Sequence, residues 1–168
     1  MGILIERACP ADAAEILGYL KTVGGETDNL SFGAEGLPFS IEEEEAYLRS
    51  LQNSTHCVML VARKDGRIVG NASFTSSPRE RLKHRGELGI CVLKKEWGNG
   101  IATMLMDEIL RFARDTAQAG IIHLEVRSDN LRAIRLYRKF GFVKIGQFHG
   151  LLKIKGEYID FDLMNLYL

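Results

Sequence analysis

Two stretches of the chain carry residue types and spacings that can hold an anion and move a proton. In CVLKKEWGNGIATML a strand-like run ends near Leu93, Gly98-Asn99-Gly100 forms a Gly-x-Gly turn, and a helix begins at Ile101. The first amides of a helix have no acceptor within it, the dipole places partial positive charge there, and glycine lets backbone approach a ligand closely. Gly98-Asn99-Gly100 and the helix start at Ile101 therefore read as a site for a phosphate, against the simpler reading of a tight strand-to-helix turn. The P-loop pattern fails, because Gly100 is followed by Ile101-Ala102 and not by Lys and Ser or Thr. The dinucleotide fingerprint fails too: Thr103 stands where its third glycine belongs and Gln118 where its acid belongs.

The second stretch is VRSDNLRAIRLYRKFGFVKIG. Asn130, Ala133, Tyr137 and Phe140 follow one another at spacings of three, four and three, one face of a helix. A helix built only for packing carries Leu or Ile at such places. A small residue at 133 with polar groups at 130 and 137 points to contact with a ligand, against the reading of Tyr137 as a core residue whose hydroxyl finds water or a carbonyl.

The elements that must position these residues follow from period and punctuation. Ile3 and Ile5 open a strand, and Pro10 with Asp12 starts a helix through about Lys21. The loop GGETDNLSFGAEGLPF follows. Ser40 and Glu43 form a capping box for a helix to about Leu51, with Tyr47 and Leu51 facing inward. CVMLVAR and RIVGNASF flank Asp65-Gly66, a hairpin signal, because both turn positions tolerate positive φ. GELGICVLK is a fourth strand. An amphipathic helix runs from Ile101 to about Ala117 with Ile101, Leu105, Ile109 and Phe112 on one stripe, and IIHLEV is a buried strand. Asp129 or Asn130 caps a helix through Phe140, with Gly141 as its left-handed end. Two strands around Lys155-Gly156 close the chain, with Ile159, Phe161 and Leu163 alternating with Tyr158, Asp160 and Asp162. The order β-α-α-β-β-β-α-β-α-β-β gives a mixed α/β domain with antiparallel hairpins.

This pair of motifs resembles the GCN5-related N-acetyltransferase (GNAT) superfamily, in its bacterial acetyltransferase branch, and the likeness extends over most of the chain. The family's second motif, Asn-x-x-Ala-x-x-x-Tyr-x-x-x-Gly-Phe, is complete as Asn130, Ala133, Tyr137, Gly141 and Phe142. Its first, Gln/Arg-x-x-Gly-x-Gly/Ala, keeps Gly98 and Gly100 but has Lys95 at its opening position, a cation without a planar fork. The resemblance implies a mostly antiparallel central sheet of about seven strands flanked by about four helices.

It also implies acetyl-CoA as acetyl donor, with no metal, and direct transfer to a primary amine in a ternary complex. The amides of Trp97, Gly98, Asn99, Gly100, Ile101 and Ala102, with Lys95 beside them, would hold the pyrophosphate. Backbone at Ile90, Cys91 and Val92 would pair with the pantetheine arm like an added strand, and an amide there would face the oxyanion. Asn130 would bond the pantetheine, with Ala133 and Phe140 on the same helix face. Tyr137 would be the general acid that protonates the departing thiolate. Glu87, just before the acetyl site, is the first candidate for the base that takes the amine's proton, with Glu26 and Asp28 weaker candidates. Arg132 and Arg135 could reach a CoA phosphate but read more simply as a solvated helix face. A thiol nucleophile, with His84 or His123 as its base, has no local support.

Charge and composition narrow the remaining classes. The 168 residues carry 22 Lys+Arg and 22 Asp+Glu, so no basic excess favours nucleic acid. The length suits a single domain over 1–168. No apolar stretch nears the roughly 20 residues that span a bilayer. MGILIERACP meets Glu6 and Arg7 too early for a signal core, and Glu6 stands where myristoylation after Met1-Gly2 wants Ser or Thr. Cys9, Cys57 and Cys91 are widely spaced, with Cys57 and Cys91 in apolar runs, which fits buried thiols in a reducing cytoplasm. Glu26, Asp28 and Glu35 would favour a cationic acceptor, a small amine, a polyamine, a lysine or a protein N-terminus, against the equally open reading of acids that only solvate their loop. The C-terminal strands offer an edge for a homodimer. The alternative from another class is a non-catalytic acyl-CoA sensor.

Overall fold

The structure is a computed structural model that describes residues 2–168; Met1, where the signal and lipidation readings begin, lies outside the described residues. In chain order the elements are β1 (Ile3–Arg7), a 3-10 turn (Pro10–Asp12), α1 (Ala13–Glu26), α2 (Ile41–Leu51), β2 (Cys57–Lys64), β3 (Arg67–Ser76) and β4 (Arg85–Val92). A second 3-10 turn (Lys94–Glu96), α3 (Ile101–Arg111), a π turn (Phe112–Thr116), β5 (Ile121–Arg127), α4 (Leu131–Lys139), β6 (Val143–Ile154) and β7 (Glu157–Tyr167) complete it. The strands form one seven-stranded sheet in the order β1-β2-β3-β4-β5-β7-β6. Every pairing is antiparallel except β4 with β5.

Local chemistry places most of these elements. Asp65 and Gly66 take φ of 51° and 78°, Lys155 and Gly156 49° and 84°, so both hairpins turn through the left-handed region. Ser40 Oγ accepts from Glu43 N at 3.1 Å while Glu43 Oε2 accepts from Ser40 N at 2.8 Å, a complete capping box. Arg63 on β2 holds Glu6 at 2.6 Å and Glu15 at 2.9 Å and also pairs with Asp12, tying β1, the first turn and α1 together.

Two layers of helix enclose the sheet. Phe74 on β3 sits edge-on to Phe112, centroids 6.0 Å apart, and Gly70 lies under Ile101 and Leu105, so α3 covers that face. Gly141 at the end of α4 approaches Leu166 of the same face. On the opposite face Tyr19 of α1 donates to the carbonyl of Cys91 on β4 at 2.8 Å.

Four expectations are corrected. The first helix begins after a separate turn and runs to Glu26, because Gly24 lets Phe32 and Gly33 of the following loop pack where a Cβ would stand. In α2 the inner face is Glu44, Leu48 and Leu51, and Tyr47 is 42% exposed. The helix after Ile101 leaves α geometry at Phe112, where Ala117 N bonds Phe112 O five residues back at 2.9 Å. Asp162 is buried rather than outward, accepting from Ser128 Oγ at 2.7 Å and Lys144 Nζ at 2.9 Å.

Candidate active site

The sheet opens in its middle. β4 and β5 pair only at Arg85 with Ile121, Gly86 with Ile122 and Glu87 with His123. Beyond that point Gly89 to Val92 continue on β3, Leu124 to Arg127 continue on β7, and the two strands no longer meet. Leu93 N donates to Val69 O on β3 at 2.9 Å. Backbone groups alternate between strand edges, so Ile90 and Val92 turn theirs into the gap. Trp97 Nε1 takes the Val92 carbonyl at 2.9 Å. The gap is thus edged by backbone that can pair with an extended thread.

At the end of β4 lies the glycine turn. Gly98 and Gly100 have φ of 83° and 78°, and Gly100 is the N-cap of α3. No side chain caps this helix and no acid lies in its first turn. The amides after Gly100 therefore keep their positive end free for an anion. The Ile101 side chain is buried, so only its amide can serve, while Lys95 is exposed beside the turn. Glu96 is buried beneath the turn, bonded to Lys64 Nζ at 2.8 Å and Asn99 Nδ2 at 3.0 Å; these contacts hold its carboxyl below the usual range. Glu26 Oε2 accepts from Lys94 N at 2.7 Å and so anchors the same loop.

α4 borders the gap from the other side. Asn130 Oδ1 caps this helix by accepting from Ala133 N at 3.3 Å, which leaves Nδ2 for a ligand. Tyr137 is 7% exposed with its ring 5.8 Å from that of Phe142. Burial, and then Cys91, push its phenol above the ordinary value, so it stays protonated at neutral pH. A phenol is a weaker acid than a thiol, so full transfer to a free thiolate would run uphill; what the hydroxyl supplies is a neutral donor aimed at developing charge. Phe140 is the C-cap and lines a groove with Met104, Asp107 and Arg111 of α3.

Residues outside the sequence motifs complete the arrangement. Tyr19 lies on the apolar stripe of α1 with Ile16 and Val23, so its pattern reads as core, yet its hydroxyl fixes β4 at Cys91. Arg132 stacks its guanidinium over the Trp97 ring. Burial pushes the Cys91 thiol up to about 11, and it donates to Asn71 Oδ1 at 2.8 Å, so it is no thiolate nucleophile near neutrality. Glu87 is exposed on the α1 face of β4, at the last paired position before the gap. Asp28 offers its carbonyl to Arg127 Nη1 at 3.2 Å, and Glu35 folds back onto Gly33 N at 2.9 Å. Among the described residues no group of His, Cys, Asp and Glu side chains is placed to hold a metal ion.

Residues 28–142 match the acetyltransferase (GNAT) family. The acetyltransferase of GNAT family from Streptococcus pneumoniae superimposes with a TM-score of 0.95 at 33% identity, over 99% of this chain and 100% of that one. The L-amino acid N-acetyltransferase AaaT of Escherichia coli (strain K12) is 35% identical over 101 residues, 60% of this chain and 62% of that protein, so the likeness spans less than two thirds of the relative's length. The protein yncA from Salmonella typhimurium, solved with its cofactor acetyl-CoA, shares the fold, with a TM-score of 0.85 at 21% identity, over 100% of this chain and 95% of that one.

Proposed function

The chain belongs to the acetyltransferase (GNAT) family, and from that premise we propose that it transfers the acetyl group of acetyl-CoA to a primary amine by direct attack in a ternary complex. The observation that carries the reading is the parting of β4 from β5 beside an uncapped helix N-terminus. A thread with a pyrophosphate at one end and a hydrogen-bonding arm at the other fits those two features together.

In this reading the amides from Trp97 to Ala102 hold the pyrophosphate, with Lys95 and Arg132 adding positive charge. Ile90 and Val92 bond the pantetheine arm along the open edge, with Cys91 between them turned to β3, and an amide of that segment faces the oxyanion as the amine attacks. Asn130 Nδ2 bonds the arm, and Ala133 and Phe140 flank it. Tyr137 donates to the sulfur as the carbon–sulfur bond breaks. Glu87 takes the proton from the incoming ammonium, which must be neutral to attack.

The acceptor is a cationic amine entering from the face that carries Glu87 and Glu125. The relative named for L-amino acids makes an α-amine the first choice. At a peptide N-terminus such an amine ionises near 8 and needs less help from a base than a lysine near 10.4. The whole chain acts as one domain, in the cytoplasm, with the exposed edge of β6 as the place where two copies pair; among the described residues no helix is long and apolar enough to cross a membrane.

The test is CoA release from acetyl-CoA across free amino acids, peptides with a free α-amine and diamines, with Glu87→Gln alongside. Amine-dependent release that falls in Glu87→Gln is expected. Tight acetyl-CoA binding without release for any amine would turn the reading to a sensor, and no binding would end it.

A further inference from the structure

The edge that β4 turns to the gap ends on a group of the wrong sign for an anion. Val92 faces Gly70 across the strand pair, and Leu93 N bonds Val69 O, so the Val92 carbonyl points away from β3 and into the gap. Val92 is the last residue of β4, where a thread leaves the strand for the glycine turn. A bare carbonyl oxygen there would stand in the path of a pyrophosphate and repel it. It is not bare, because Trp97 Nε1 donates to it at 2.9 Å. An indole nitrogen can only donate, so the direction of this bond is fixed.

The same ring reaches the other bank. Arg132, in the first turn of α4, lays its guanidinium over the indole face, 4.6 Å from the centroid. The edge of Trp97 thus covers an acceptor on β4 while its face holds a cation from α4. Two acids beside the turn are tied in the same sense. Glu96 Oε2 accepts from Lys64 Nζ at 2.8 Å and Asn99 Nδ2 at 3.0 Å, and Glu26 Oε2 accepts from Lys94 N at 2.7 Å. Trp97 is half-buried against the core, which holds the ring in this place.

We infer that the Trp97 side chain is a specificity-determining residue for the donor: by covering the Val92 carbonyl and seating Arg132, it strengthens the choice of thioesters that carry phosphate over those that do not. The inference rests on the acetyltransferase reading. The role differs from that of the Trp97 amide, which every residue type but proline would supply. This one needs an N–H on the edge of a flat ring. An acetyl donor that stops at pantetheine reaches the groups of Ile90 but brings no charge beside Val92, so the cover does nothing for it. Acetyl-CoA carries its pyrophosphate past that carbonyl. Bonds to the edge of β4 do not separate the two donors; the covered carbonyl does.

Trp97→Phe keeps a ring under Arg132 and deletes the N–H. With an amine that the wild-type protein acetylates, thiol release is followed from acetyl-CoA and from S-acetylpantetheine, which ends in a hydroxyl where CoA continues into pyrophosphate. The ratio of kcat/KM for acetyl-CoA to that for S-acetylpantetheine is expected to fall about tenfold in this variant. The fall should lie in KM for acetyl-CoA, with kcat within about twofold of wild type. Trp97 is the only tryptophan of the chain, so biosynthetic replacement by its sulfur isostere, benzothienylalanine, removes the N–H here alone and keeps the whole ring. That protein should show the same fall, and it decides the matter if the Phe variant packs badly. An unchanged ratio in the isostere protein, whether the two rates hold or drop together, overturns the role of Trp97. A wild-type protein that releases thiol from neither donor with any amine overturns the acetyltransferase reading and this role with it.

Discussion

The guanidinium of Arg132 lies 4.6 Å over the centre of the Trp97 ring, which stacks the first turn of α4 onto the loop that opens α3. Trp97 is in turn held by Val92, so the cation is positioned through two contacts from β4. Gly98 is required by its backbone, at φ 83°, and not by space, since a Cβ there would meet Arg132 Nη2 at an ordinary 3.9 Å. Arg132 is exposed, as a solvated helix face requires, and the stack nevertheless holds its guanidinium beside the glycine turn.

Arg132→Ala should raise the Kd for acetyl-CoA about tenfold, or about 1.4 kcal/mol, combining a cation–π contact with lost attraction to phosphate. Arg132→Lys should recover part of the affinity, because lysine keeps the charge without the planar stack. Calorimetric titration of both variants checks this, and an unchanged Kd in Arg132→Ala would leave the stack a structural role only.

Tyr137→Phe removes one hydroxyl and little packing. Turnover should fall about 100-fold with acetyl-CoA affinity nearly unchanged. Because burial holds the phenol protonated, raising the pH toward 9 should not itself disarm the donor in the wild-type protein. Steady-state rates with parallel titrations of acetyl-CoA separate the two quantities, and equal turnover would remove Tyr137 from the chemistry.

Gly86 pairs with Ile122 at the centre of the three joined positions, and a Cβ there would drive into the buried Phe74 ring. Phe74 is fully buried and already packed on Phe112, so it has nowhere to yield. Gly86→Ala should destabilise the protein by about 2–3 kcal/mol. Denaturant unfolding measures it, and a loss under about 0.5 kcal/mol would show that the seam tolerates displacement.

Stability should fall at alkaline pH. Burial holds the phenols of Tyr19 and Tyr137 above their ordinary value and pushes the Cys91 thiol up to about 11. The unfolded chain sheds these protons from about pH 8.5 for the thiol and about pH 10 for the phenols, while the native state keeps them. The native state then binds more protons, so the stabilisation is complete below about pH 8.5 and declines above it. Tyr19→Phe should lower stability by about 1 kcal/mol at neutral pH through its lost bond to Cys91 and flatten the decline above about pH 10. Thermal melts across this range decide the matter.

Features governed by neighbours in the chain were legible before the fold was known. Asp65-Gly66, Lys155-Gly156, the Ser40 box and the glycine turn each depend on a few adjacent residues, and each stands where the sequence puts it. Residues governed by distant contacts were not. Gly24 and Gly25 suggest a loop until Phe32 and Gly33 are seen packing on the first of them. Asp162 reads as outward until Ser128 and Lys144 supply its partners. Within the site, Asn130 and Tyr137 announce themselves by spacing on one helix. Glu96 under the turn needs Lys64, and the setting of His123 needs Asn165, a residue 42 positions away.

The sheet joined at only three positions between β4 and β5 also has a mechanical side. β1 forms one edge and β7 lies next to the other, so a pull on the two termini loads the sheet across nearly its full width. Every other seam is longer, and the load meets its shortest row of rungs where the strands part. The molecule should tear first along its own cleft, and a thread laid into that cleft would rivet the two plates together.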